Sequence, residues 1–316
     1  MTTETLVKVE NLWRRYGDHV AVQGLEFELN RGDVLGFLGP NGAGKSSTMQ
    51  MLAGCLAPTS GRITIQGVDL LEEPDRAKAA LGYLPEQPPV YPEFSVREYL
   101  RFCARLNKVP RAEVEAAVDR AMQRCGLTHV ADRLIGNLSK GYQQRAGIAQ
   151  AIIHEPAVVI LDEPTVGLDP IQIREIRDLI REVGRDHSVI LSTHILPEVQ
   201  TVCSRVLIIN QGRKVYSDSI EVLNSGLGAD SLIVGGRALP SDETLAAIPG
   251  VRGVERLASE RVRLRYGGEE SFPTAIARLA VENDWELAEL LPERKTLEQL
   301  FIEFTSGDAV VTEEAA

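Results

Sequence analysis

The run Gly39-Pro40-Asn41-Gly42-Ala43-Gly44-Lys45-Ser46 decides how the rest of the chain is read. It fits G-x-x-x-x-G-K-[ST], the pattern of a loop that wraps phosphate. Val34-Leu35-Gly36-Phe37-Leu38 before it is an apolar run of strand length. Lys45 to Ala53 after it has a helical pattern, with Met49, Leu52 and Ala53 on one side. Strand, glycine loop and helix in this order are the context the pattern needs. Gly39, Gly42 and Gly44 let the backbone approach an anion and take positive φ where a side chain would clash. Backbone N–H groups and the helix N-terminus then direct partial positive charge at phosphate. Lys45 adds a full charge toward the β- and γ-phosphates of a nucleotide, and Ser46 offers a hydroxyl to Mg²⁺. Ser47 extends the nucleotide-binding run. A chance glycine turn before a helix is the alternative, and the flanks argue against it.

A second stretch carries the opposite charge. Val158-Val159-Ile160-Leu161 is wholly apolar, as strands inside a parallel sheet are, and Asp162-Glu163 close it. Ligands of such sheets bind beyond the carboxyl ends of the strands, which brings both acids to the nucleotide. Asp162 suits the Mg²⁺ shell, and Glu163 suits a general base that polarises an attacking water. A solvated strand end is the plainer reading, but two acids directly after four apolar residues form a specific pattern.

The 316 residues allow one large or two modest domains, and 44% hydrophobic content supports packed cores. A formal net charge of −11, from 45 acidic and 34 basic residues, argues against a protein that coats nucleic acid. Cys55, Cys103, Cys125 and Cys203 form no C-x-x-C pair, so zinc and disulfide frameworks are not expected and a reducing compartment fits. The N-terminus is polar, and no apolar run reaches the roughly 18 residues of a membrane span. The expectation is that another chain crosses any membrane at which this one works.

Strands are expected at Leu6 to Glu10, Val20 to Leu29, Arg62 to Ile65, Leu81 to Leu84, Ser188 to Ser192 and Arg205 to Asn210. Helices are expected from Ser95, where Glu98 completes a capping box, from Arg111, from Gly141 and from Pro170. Alternating strands and helices predict an α/β sheet with helices on both faces. The largely helical stretch at about 88–150 interrupts that alternation as an inserted subdomain. After a turn-rich linker at 224–228, the order β-α-β-β-α-β predicts a small ferredoxin-like α+β domain over 229–305. A further helix is expected from Thr296 to Phe304, and 306–316 reads as a disordered acidic tail.

With both stretches in place, residues 5 to about 218 resemble the ATP-binding subunit of an ABC transporter. Leu138-Ser139-Lys140-Gly141-Tyr142 resembles the family's L-S-G-G-Q signature, about twenty residues before the Val158 strand. Gln87 falls at the family's Q-loop glutamine, which places it with Ser46 and Asp162 at the metal. Gly167-Leu168-Asp169 resembles the D-loop, His194 the switch histidine at the γ-phosphate, and Tyr16 the aromatic that stacks on adenine. The signature departs from the family at Lys140, usually glycine, and at Tyr142, usually glutamine. Ser139 and Gly141 keep the hydroxyl and the open helix N-terminus. The signature run and Pro164-Thr165-Val166-Gly167-Leu168-Asp169-Pro170 resemble ABC-2-type exporters, closest to the gliding-motility-type branch. Thr296-Leu297-Glu298-Gln299-Leu300-Phe301 resembles the end of that group's C-terminal extension.

The resemblance implies a P-loop cassette over 1–222 that binds ATP and Mg²⁺. Lys45, Glu163 and His194 would serve in catalysis. The loop residues, Tyr16, the signature and Asp169 would contact nucleotide. It implies a homodimer of cassettes in which each phosphate loop faces the other copy's signature, and a separate membrane permease with the cassettes at its cytoplasmic face. No nucleic-acid partner is expected. A soluble ABC ATPase switching a non-membrane partner is the alternative; the chain lacks the long coiled coil, tandem cassettes and metal modules that would favour it. A nucleotide-binding module with negligible turnover is a second alternative, against which Glu163 argues.

Overall fold

The computed structural model describes residues 4–225, 229–267, 269, 271–294 and 301. One compact unit ends at Ile220 and a second begins at Glu221.

In the first unit, β1 (Thr5–Tyr16) and β2 (His19–Asn30) form a long antiparallel ribbon. Leu25, Phe27 and Leu29 of β2 are buried while Glu26 and Glu28 face solvent, the period-two pattern of a half-buried strand. β3 (Val34–Leu38) is buried along its whole length and leads through the glycine loop into α1 (Lys45–Leu52). There follow β4 (Ser60–Ile65), β5 (Val68–Asp69), α2 (Pro74–Lys78) and β6 (Leu81–Leu84).

Three mutually packed helices come next: α3 (Val96–Leu106), α4 (Val114–Arg124) and α5 (Lys140–Ile152). Ser95 starts α3 with both bonds of a capping box. Glu98 N–H donates to Ser95 Oγ at 3.3 Å, and Ser95 N–H donates to Glu98 Oε2 at 2.9 Å.

The chain then returns to the sheet with β7 (Val158–Asp162), α6 (Pro170–Asp186), β8 (Ser188–Thr193), α7 (Leu196–Val202), β9 (Arg205–Asn210) and β10 (Arg213–Ser219). On α6, Ile176, Leu179, Ile180 and Val183 are buried at helical spacing, so one stripe faces the core.

Among the described residues these strands make a four-stranded antiparallel sheet, β2-β1-β4-β5, and a six-stranded sheet, β10-β9-β3-β8-β7-β6. The second is parallel from β9 to β6. Phe27 and Phe37, with ring centroids 5.8 Å apart, join the two sheets in one core. Register positions the site: Leu38 pairs with Thr193, Asp162 with Ser192, and Leu84 with Leu161. The loops after β3, β8, β7 and β6 therefore leave the sheet side by side, at its carboxyl edge.

Five elements were not expected from the sequence: α2, α7, β10, the two-residue β5, and α8 (Ile220–Ser225), which runs into the stretch read as a linker from 224. α2 and α7 are only five and seven residues long, too short for periodicity to register. β10 is an edge strand of mostly exposed residues, held by pairing to β9 through the two-residue turn Gln211-Gly212. Both turn residues have positive φ, 47° and 78°, as a tight hairpin requires.

The second unit opens within α8 (Ile220–Ser225). Its elements are β11 (Ala229–Gly236), α9 (Asp242–Ala246), β12 (Val251–Ala258), β13 (Arg261–Tyr266), α10 (Phe272–Glu282) and β14 (Leu287–Arg294). The antiparallel order β12-β13-β11-β14 is that of a ferredoxin-like sheet. Leu232, Val234, Val262, Leu264 and Ile276 fill its core, and Tyr266 stacks on Phe272 at 4.4 Å. The helix expected from Thr296, apart from Phe301, and the tail from 306 lie outside the described residues.

Candidate active site

The glycines of the loop are needed for different reasons. Gly44 caps α1 at φ 102°, and a Cβ there would stand 2.4 Å from the Ala21 carbonyl oxygen. Gly42 has φ 78° and open space around it. Gly39 departs from the expectation of positive φ. It is required because a Cβ would come within 2.4 Å of the Ile209 carbonyl oxygen on β9. Ala43 is buried, while Asn41 and Gly42 are exposed at the mouth of the loop.

Lys45 is 5% exposed. Its ammonium donates to the carbonyls of Gly39 at 2.9 Å and Pro40 at 3.2 Å, and it lies 3.4 Å from Glu163 Oε1. Glu163 follows β7 in the left-handed region at φ 47°, a conformation that costs a non-glycine residue energy. Its N–H donates to the Ser192 carbonyl at 2.9 Å, and its other carboxylate oxygen meets His194 Nδ1 at 2.8 Å. The strained turn thus aims a buried carboxylate between one cation and one imidazole.

Asp162 is 2% exposed, and burial pushes its carboxyl above the usual range, with the Glu163 charge adding to the effect. The nearby hydroxyls of Ser192 and Ser46 oppose that rise, yet Asp162 Oδ1 and the Ser192 hydroxyl are buried and make no well-formed hydrogen bond among the described residues. A buried carboxylate oxygen left open in this way fits a cation. No group of three His, Cys, Asp or Glu side chains suited to a metal occurs among the described residues.

A cavity of about 380 Å³ gathers the phosphate loop, Glu163 and His194, whereas Asp162 is not part of its lining. Lys45, Ser46, Ser47, Glu163 and His194 line it with Tyr16, Asn41, Gly42 and Gly44. Tyr16 is 44% exposed; the Arg14 guanidinium lies 4.4 Å from its ring centroid, and its hydroxyl is 3.4 Å from Ser47 Oγ. Gln87 is exposed and absent from this lining, whereas its neighbour Glu86 is part of it. A wider cleft, about 690 Å³, lies at the opposite edge of the sheet beside Ala80, Ala157 and His187. Its arginines already have acidic partners, as in Arg31–Glu4, Arg76–Glu73 and Arg124–Asp186, and it offers no comparable chemistry.

The signature residues are not brought to the phosphate loop of the same chain. Ser139, Gly141, Tyr142 and Asp169 line a separate cleft of about 280 Å³. Ser139 starts α5, and its hydroxyl makes no cap bond. Leu138 is buried, so its side chain serves the core. Gly141 packs against the Gln172 side chain of α6, 2.8 Å from where a Cβ would stand. The Lys140 ammonium occupies the space that a side chain at Gly167 would fill. Tyr142 bonds His129 Nε2 at 3.0 Å through its hydroxyl. The Asp169 carboxylate caps α6, accepting from Ile171 N–H at 3.0 Å and Gln172 N–H at 2.9 Å. Sequence reasoning missed Glu86, Thr165, Thr193 and Glu198. An acid in the otherwise apolar run Ile195 to Val199 was the available signal for the last.

A glycine loop on a helix N-terminus, a buried lysine and paired acids at the carboxyl edge of a parallel sheet define a P-loop nucleotide hydrolase. The family described as ABC transporter matches residues 22–166. The linearmycin resistance ATP-binding protein LnrL of Bacillus subtilis (strain 168) is 30% identical over 305 residues, 95% of this chain and 98% of the relative. The bacitracin transport ATP-binding protein BcrA of Bacillus licheniformis is 37% identical over 211 residues, 66% of this chain and 68% of the relative. A dimeric ATP-binding cassette solved in a post-hydrolysis state with ADP and Pi shares the fold, with a TM-score of 0.61 and 20% identity. That match covers 68% of this chain and 99% of the solved one. The chain belongs to the ATP-binding subunits of ABC transporters. It binds and hydrolyses ATP to power a membrane transporter. No helix among the described residues is long and apolar enough to cross a membrane.

Proposed function

We propose that two copies of this chain close around two ATP molecules and drive a separate exporter permease from its cytoplasmic face. Glu163 is the general base in this reading. The observation that carries it is the contact of its buried carboxylate with Lys45 at 3.4 Å and His194 at 2.8 Å. A base must be held within reach of its proton and kept in one orientation, and these two partners do that. Lys45 would move its ammonium from the loop carbonyls to the β- and γ-phosphates. The backbone from Gly39 to Gly44 would cradle them, and Tyr16 would stack on adenine. Ser46 and Asp162, joined by Gln87 once its loop turns inward, would hold the Mg²⁺ that neutralises charge on the phosphates.

Ser139 and the N-terminus of α5 lie on a different cleft from Lys45, which supports a shared site. In a two-fold dimer a patch meets itself in reverse, so each signature would face the other copy's nucleotide. Export as the direction of transport rests on the relatives named for linearmycin resistance and bacitracin transport. The cassette over 1–222 would carry all of this, with the domain over 229–305 adding stability or coupling. The test is affinity capture of tagged chain from detergent-solubilised membranes, with phosphate release measured with and without Mg²⁺. Co-purification of a protein with about six apolar spans and Mg²⁺-dependent release are expected. Capture of ribosomes or nucleic acid instead overturns the permease reading.

A further inference from the structure

One buried acid lies outside every role given above. Glu198 on α7 is 1% exposed, and its carboxylate receives three donors. Thr165 Oγ1 donates to Oε1 at 2.6 Å, Arg177 Nη2 to the same oxygen at 3.3 Å, and Thr193 Oγ1 to Oε2 at 2.8 Å. A carboxylate kept from water is costly unless it is paired and hydrogen-bonded, and this one is both.

The places of the donors give the arrangement its meaning. Thr165 stands two residues after Glu163, Thr193 directly before His194, and Arg177 on α6, whose cap is Asp169. Thr193 Oγ1 also accepts from Ile195 N–H at 3.0 Å, so His194 sits inside a turn closed by a hydroxyl. Glu198 N–H donates to the Ile195 carbonyl at 3.1 Å, tying α7 to the same turn. One carboxylate therefore fastens the loop that carries Glu163, the loop that carries His194, and the helix that begins at the Gly167–Asp169 turn. Glu198 itself does not line the 380 Å³ cavity.

We propose that Glu198 is a positioning residue for ATP hydrolysis. Through Thr165 and Thr193 it holds the loops after β7 and β8 in one register, so that His194 keeps the Glu163 carboxylate aimed. Through Arg177 it joins that register to α6. The proposal rests on the roles given to Glu163 and His194 and deepens them.

The test uses the full chain and separates binding from turnover. Thr193→Val keeps the side-chain outline and removes the hydroxyl that serves both Glu198 and Ile195. Its kcat should fall about ten- to a hundredfold, the scale of a misplaced catalytic group, with KM and the Kd for ATP within about twofold of wild type. Thr193→Ser restores the hydroxyl and should return kcat to within about threefold. Thr165→Val, on the other loop, carries the same expected split and decides the matter if Thr193→Val does not fold. A kcat unchanged in the valine variants overturns the positioning role. So does a loss of kcat matched by an equal loss of ATP affinity, or a serine variant as slow as the valine one. Native-rate hydrolysis by Glu163→Gln would instead overturn the underlying assignment of the base.

Discussion

The phosphate-loop cavity and the signature cleft of the same cassette differ in what their leading groups, Glu163 and Ser139, already meet. In the first, Glu163 contacts both Lys45 and His194, and Lys45 and Glu163 are nearly inaccessible to solvent. In the second, Ser139 is exposed and its hydroxyl makes no cap bond to α5. An exposed hydroxyl on a helix N-terminus favours an anion brought from elsewhere. A buried acid between a cation and an imidazole is suited to chemistry on an anion that is already seated. In the proposed dimer, one chain would supply a reacting half-site and a receiving half-site on different clefts. The contrast then separates two events: nucleotide binding would belong to one copy, and turnover would need two.

The largest expected effect is that of Lys45→Ala. It removes a charge matched to the β- and γ-phosphates and leaves Glu163 buried without its cation. Losing a hydrogen bond to a charged group costs about 1.5–3 kcal/mol, so ATP affinity should fall roughly ten- to a hundredfold, with turnover abolished. Nucleotide titration and phosphate release measure both. Unchanged affinity would separate Lys45 from the phosphates and dissolve the contrast between the clefts.

Ser139→Arg sharpens the comparison from the other side. ATP binding by a single chain should stay within about twofold, because Ser139 is not part of the phosphate-loop cavity. Closure of the dimer and turnover should be lost. Full ATPase activity in this variant, measured with the membrane partner, would sink the shared site.

The smallest effect is expected from ending the chain near residue 228. Lys45, Asp162, Glu163 and His194 all lie in the unit that ends at Ile220, so ATP affinity of the cassette should change by less than about twofold. A folded truncation that no longer binds ATP would give the second unit a place in the site.

Much of this organisation was legible in the sequence because the informative residues are neighbours along the chain. Gly39 to Ser46 carry their loop, cap and cation together, and Val158 to Glu163 carry a strand and its terminal acids. What stayed hidden depends on residues that only the fold brings close. Gly39 looked like a glycine chosen for its φ, yet the Ile209 carbonyl on β9 is what forbids a side chain there. Lys140 gave no sign that it would lie over Gly167. Asp169 looked like a nucleotide contact, and its carboxylate is spent on the cap of α6. Glu198 has donors 33, 21 and five positions away, a pattern with no sequence period. The strained φ of Glu163 was equally unreadable, since acids rarely adopt it outside a turn that the surrounding structure enforces.

The central claim, that a carboxylate held between Lys45 and His194 performs the chemistry, is tested most directly by Glu163→Gln. The amide keeps the size and hydrogen-bonding capacity of the side chain and loses its basicity. Phosphate release and ATP binding are measured on the same preparation, with size-exclusion chromatography in the presence of Mg-ATP. ATP affinity should be retained, release should fall by about 10²–10⁴-fold, the range a general base contributes, and an ATP-bound dimer should accumulate. Release at the native rate, with binding intact, would contradict the account.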